Sequence, residues 1–203
     1  MEFALLNKLF ISLFAMTNPI GNMGIFCGLV GNQSGKKVRQ IAMKVAISSF
    51  FILIVAAMVG KDILTGFGIS IPAFSVAGGL IVLMIALSML HGSANSSPGE
   101  HADDDIAIVP MSIPMVAGPG ALVAVILFTH KHPLTVDNTL PVFLVFFAIA
   151  ILVGLIFSLA PLLIKALKEK GIRVVTKIMG LLLSGIAMEM IIEGLKEAKL
   201  FIA

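Results

Sequence analysis

The sequence predicts an all-α integral membrane protein: six transmembrane helices forming two inverted three-helix repeats, with helices 1 and 4 broken at Pro-Gly motifs. Three observations carry this. Of 203 residues, 59% are hydrophobic and 12% are charged, where a soluble domain averages ~25% charged; the mean hydropathy is +1.10. The apolar residues fall into runs long enough to cross a bilayer. Two of those runs are interrupted in corresponding places, by Thr17-Asn18-Pro19-Ile20-Gly21-Asn22 and by Ala117-Gly118-Pro119-Gly120-Ala121, and the two break prolines stand 100 residues apart.

Helix 1 is expected from Phe3 to Val30, broken at Asn18–Gly21. Proline lacks a backbone donor and blocks the carbonyl one turn back, and glycine loosens the chain further. The segment has no basic n-region and no convincing cleavage site, so it reads as a retained span and not a signal peptide. A loop over 31–40 carries Lys36, Lys37 and Arg39. Helix 2 covers about Ile41 to Val59; Lys61, Asp62, Gly66 and Gly68 form a turn. Helix 3 covers about Ile71 to Leu90, with Pro72 suited to its first turn. The polar stretch 92–105 joins the halves. Helix 4 spans Ile106 to Thr129, irregular at Pro110 and Pro114 and broken at Gly118–Gly120. After a loop over 130–138, helix 5 runs from Leu140 to Ile164, where Pro161 is expected to kink its end. A basic loop from Lys165 to Arg173 precedes helix 6, Val174 to Ile192. No second, soluble domain fits in the remainder.

Residues 1–91 and 106–203 read as copies of one unit. Gly79-Leu80 matches Gly180-Leu181, and Ile85-Ala86 with Met89 matches Ile186-Ala187 with Met190, at an offset of 101. An odd number of helices per copy forces the second copy into the membrane upside down. The loop set holding Lys36, Lys37, Arg39, Lys44, Lys165, Lys168, Lys170, Arg173 and Lys177 outnumbers the opposite set of Lys8, Lys61, Lys131, Lys196 and Lys199. The positive-inside rule then places both termini outside and the basic loops in the cytoplasm. There is no Trp or Tyr to form an interfacial belt, so Lys, Arg and some of the 14 Phe must anchor the spans.

The breaks are the candidate site. In lipid, the freed N–H and C=O groups must meet protein, water or a ligand. New helices restart near Gly21 and Gly120, where unpaired N–H groups and the positive dipole end attract a carboxylate. Glycine there lets a small ligand approach the backbone. Asn18 and Asn22 can bond a substrate or cap the helix stubs; the pattern allows both. The alternative is a pair of packing kinks without a ligand.

Glu189 is the one carboxylate well inside an apolar run, a candidate for proton coupling or for meeting a substrate ammonium. It could instead snorkel beside Glu193, and its repeat mate is Ser88. His130-Lys131-His132, and His101 with Asp103–Asp105, lack a tetrahedral ligand spacing, so no metal is expected. No nucleophile–base pair, phosphate loop or haem motif appears, so neither catalysis nor a cofactor is expected. Cys27 alone can form no intramolecular disulfide and reads as a small buried side chain. A pI near 9.1 reflects loop lysines and implies no nucleic-acid partner.

The stretches FAMTNPIGNMGIF, IVPMSIPMVAGPGALVAVI and MGLLLSGIAMEMI resemble the MarC family of bacterial and archaeal inner-membrane proteins, essentially over the whole chain. Members of that family have been linked to transport of small neutral amino acids such as glycine and alanine, and it is grouped with exporters of the LysE type. The resemblance points to Asn18, Pro19, Gly21, Asn22, Gly118, Pro119 and Gly120. It also implies an uncharged polar residue, usually an amide, where this chain has Glu189.

The expectation is a secondary transporter of small neutral amino acids in the inner membrane. Its partners would be the substrate, the bilayer and a coupling proton or sodium ion. The alternatives are a cation or other small-solute transporter on the same scaffold, or a membrane partner protein without transport.

Overall fold

A computed structural model describes residues 3–31, 33–91 and 116–198. The expected linker 92–105 and the first half of helix 4, with Pro110 and Pro114, lie outside the described residues. Seven α-helices and no strands are found among the described residues: α1 Phe3–Thr17, α2 Met23–Val30, α3 Gly35–Gly66, α4 Ile71–His91, α5 Pro119–Lys131, α6 Val136–Lys168 and α7 Lys170–Glu197. Four of these, α3, α4, α6 and α7, are long and apolar enough to span a membrane; α1 and α5 are shorter apolar helices.

The long helices run further than the apolar pattern alone marks. α3 continues through Lys61 and Asp62 to Gly66, where Phe67 caps it and Gly68 turns the chain at φ 70°. At ~1.5 Å per residue, its 32 residues reach about 48 Å, beyond a hydrocarbon core of about 30 Å. Charged residues in the overhang meet headgroups and water, and no proline stops the helix there. α6 runs on past Pro161, the site of the expected kink, and leaves helical φ/ψ only at Lys168. The basic stretch 165–173 is therefore not a loop. It is helical except at Lys168, whose φ of 53° breaks α6 from α7.

Large apolar side chains face outward along the spans, among them Phe51 and Met58 on α3, Met84 on α4, Leu155 and Leu162 on α6, and Leu181 on α7. Lipid is the solvent that accepts such faces without loss. With this pattern the chain is a multi-pass membrane protein.

Packing inside relies on small residues that let backbones approach. α4 and α7 run antiparallel. A Cβ on Gly79 would stand 2.9 Å from the Ala187 carbonyl oxygen; one on Gly180 would stand 3.1 Å from that of Ala86. At the α7 end, Gly194 sits against the Pro72 carbonyl. The buried Ser75 hydroxyl donates to the Met190 carbonyl at 2.8 Å and ties the pair together. α3 and α6 also run antiparallel, with Gly154 against Ala46 and Phe50 edge-on to Phe147. α2 docks on α6 through stacked Phe26 and Phe157, their centroids 4.6 Å apart. α5 inserts between, with Val123 against Gly78 and Ile126 against Gly60.

Because backbone atoms cannot swing aside, Gly79→Val and Gly180→Val should each destabilise the protein by about 1–3 kcal/mol. Gly185 has no neighbour within 4 Å of a built Cβ, so Gly185→Val is the control. Thermal unfolding in detergent should show lowered midpoints for the first two variants only.

Candidate functional site: the cavity between the helix breaks

The first break is built by its own sequence. α1 ends when Asn18 takes φ 41°, a left-handed conformation that asparagine tolerates at a helix C-terminus better than most residues. The Asn18 N–H still closes on Phe14 O at 3.1 Å. Its side chain then folds over the turn, and Oδ1 accepts the Gly21 N–H at 3.2 Å. Gly21 is required by that fold, since a Cβ there would run into the Asn18 amide. Asn22 occupies the N-cap of α2 without capping it through its side chain. Its Nδ2 donates instead to the Thr17 carbonyl at 3.0 Å, so each stub is held to the other across Pro19 and Ile20.

The second break is plainer. Gly118 is extended and forms the N-cap of α5, with Pro119 at the first helical position and no side-chain cap. Its carbonyl accepts from Leu122 N at 3.1 Å. Glycine at the N-cap brings no side chain to the first N–H groups of α5.

The two breaks meet. Asn18, Gly21, Asn22, Gly118 and Gly120 line one cavity of about 370 Å³, within the range of small-molecule sites. A Cβ on Gly120 would stand 3.8 Å from Met16 Cγ and 2.8 Å from Val82 Cγ2. The other expected residues support this wall without lining it. Thr17, Pro19, Ala117 and Ala121 are buried, Ile20 is half-buried and Pro119 is exposed. Asn18 is only 7% exposed, and its Nδ2 has a weak acceptor, the Met89 sulfur at 3.5 Å. That donor gains by meeting a better acceptor.

Sequence reading missed much of the opposite wall: Met16, Val82, Met84, Ile85, Ser88 and Met89, with Ile25, Thr176 and Leu183. Ser88 had surfaced only as the mate of Glu189. Thr176, beside Lys177 at the start of an expected span, carried no pattern of its own.

Glu189 is not in this cavity. It lines a second one, of about 230 Å³, with Lys8, Ser12, Lys131, His132 and Glu193. There Lys131 pairs with Glu193 at 2.6 Å and Glu197 at 3.5 Å. Among the described residues no group of three or more His, Cys, Asp or Glu could hold a metal ion.

The chain matches the MarC family of integral membrane proteins over residues 3–199. It is 37% identical over 194 residues to a UPF0056 membrane protein of Pyrococcus abyssi, covering 94% of each chain. To the UPF0056 membrane protein YhcE of Escherichia coli it is 34% identical, covering 96% of this chain and 94% of that one. To the UPF0056 membrane protein YvbG of Bacillus subtilis it is 35% identical, covering 97% and 96%. No solved structure matches the chain.

The geometry of Asn18 separates two contributions. Asn18→Gly and Asn18→Ala both lose the bond to Gly21, but only alanine is strained at positive φ, by about 1–2 kcal/mol. Chemical unfolding in detergent should therefore find the alanine variant less stable than the glycine variant by about that amount. Equal stabilities would mean the turn is not left-handed at residue 18.

Proposed function

The chain belongs to the MarC family of integral membrane proteins, and we propose that it is a secondary transporter of small neutral amino acids, of the glycine and alanine class, working by alternating access in the inner membrane. The observation that carries the reading is the convergence of two helix breaks on one cavity, with an uncapped helix start on one side and an asparagine amide on the other. A zwitterion fits such a wall. Its carboxylate meets the first N–H groups of α5 and the Asn18 Nδ2, and its ammonium meets backbone carbonyls at the breaks. Among the described residues no lysine or arginine lines the cavity, so the carboxylate relies on amide groups. The amino acid class comes from the family resemblance.

The inverted repeat, 1–91 against 106–203, belongs to the same reading. It is supported by a reciprocal contact. Gly79 faces the Ala187 carbonyl and Ile191, while Gly180 faces the Ala86 carbonyl and Leu90. Adding 101 to each member of the Gly180 group's partners, and to Gly79, turns one contact into the other. A two-fold axis in the membrane plane would produce this exchange.

Proteoliposomes should take up labelled alanine and glycine in response to an imposed proton or sodium gradient. Absence of gradient-driven flux for any amino acid would end the proposal. Asn18→Gly, which keeps the backbone and removes the amide, should weaken substrate affinity tenfold to a hundredfold, the worth of a hydrogen bond to a charged group at ~1.5–3 kcal/mol. Gly120→Val should do worse, because its methyl groups press on Val82 and Met16. A reporter fused after Ala203 should report the outer side of the membrane; a cytoplasmic signal would invert the bundle.

A further inference from the structure

The break cavity and the Glu189 cavity lie toward opposite ends of the α4–α7 pair. The break cavity is lined by the C-terminal half of α4 and the N-terminal half of α7, through Ser88 and Thr176. The second is lined by the opposite ends, through Lys8 on α1, Lys131 on α5 and Glu193 on α7. One side chain, Met16, lines both. The two are also built from matching positions. Ile85, Ser88 and Met89 face the first, and Ile186, Glu189 and Met190 face the second, the same three positions 101 residues on.

Between the cavities lies a single apolar cluster: Ala15, Val82, Ala86 and Met89 with Val123, Leu183, Ala187 and Met190, against which Met16 packs. Methionine is unbranched and flexible and can leave such a place at little cost. In the second cavity, Lys131 is engaged by Glu193 and Glu197. Lys8 and Glu189 pair with no other charge among the described residues. Among the described residues that line it, Lys8 and Glu189 are thus a cation and an anion in no ion pair.

Resting on the transport reading, we infer that the second cavity is the other mouth of the same path, that Met16 is the barrier between the mouths, and that Lys8 and Glu189 receive the carboxylate and ammonium of a zwitterionic amino acid there. The repeat makes this arrangement cheap to operate. Two matching mouths let one motion close the first as it opens the second.

Single-cysteine variants test it, with Cys27→Ser as background and a membrane-impermeant thiol reagent applied to vesicles of each orientation. Ser88→Cys should react only from the side of the linker between the halves, and Glu189→Cys only from the side of the termini. Met16→Cys should react from both sides, and alanine should slow it from both. Labelling of Met16→Cys from one side alone, or of Ser88→Cys and Glu189→Cys from the same side, would overturn the shared path. In flux assays, Glu189→Gln should raise KM about tenfold for alanine entering from the terminus side and change KM less for alanine entering from the opposite side. A symmetric change, or none, would overturn the zwitterion assignment. Labelling does not depend on the substrate's identity. Wild-type vesicles without amino acid flux would defeat the transport reading while the two-sided reactivity of Met16→Cys still reported the path.

Discussion

A broken helix inside a membrane must account for every backbone group the break releases. Water is not there to take them, and each unsatisfied group costs several kcal/mol. The chain resolves this differently at its two breaks. At the first, side chains repair the damage: Asn18 Oδ1 takes the Gly21 N–H, and Asn22 Nδ2 gives a bond to the Thr17 carbonyl. At the second, proline removes one donor, and the N-cap residue, Gly118, has no side chain with which to cap the rest. The two side-chain bonds close the first break on itself. The second break brings Gly118 and Gly120 to the cavity wall without a side chain between backbone and cavity.

The rest of the bundle brings the breaks together. α5 reaches Met16 because Gly120 has no side chain to hold Val82 and Met16 away. α4 and α7 approach through Gly79, Gly180 and Gly194, and hydrocarbon offers no hydrophobic drive for helix association beyond such close packing. α3 and α6, longer than the hydrocarbon is thick, form a second antiparallel pair, with Phe51 and Leu155 among the side chains turned to lipid. Large side chains such as Phe26, Phe146 and Phe157 fill the interior, and glycines mark the points where two backbones touch.

The sequence made the breaks legible because proline, glycine and asparagine act locally, and their effect on a helix needs no knowledge of the fold. Spans were legible from apolar length, but their ends were not. Lys61, Asp62 and the stretch 165–173 looked like loops because charge leaves the apolar pattern, whereas the backbone remains helical beyond the hydrocarbon. The role of Asn18 as a left-handed helix terminus escaped because the same residue type serves at either end of a helix. The far wall, Met16, Met84, Met89 and Thr176, was hidden for a different reason. Which apolar residues face a cavity depends on how helices rotate against each other, and side chains of uniform chemistry do not encode that. The repeat was the partial remedy, since Ser88 and Glu189 occupy equivalent places in two separate cavities.

The account stands on the contact between α1, at the first break, and the start of α5 at the second. A Cβ built on Gly120 would stand 3.9 Å from that of Met16, within the roughly 3.5–4.5 Å that a disulfide spans. The most direct measurement is oxidative cross-linking of Met16→Cys with Gly120→Cys, in a background where Cys27→Ala removes the native thiol and Val82→Ala makes room for the new side chain. Rapid, near-complete disulfide formation in native membranes is the expected result. Cross-linking no faster than that of a Met16→Cys, Leu140→Cys pair would show that the two breaks do not share a site.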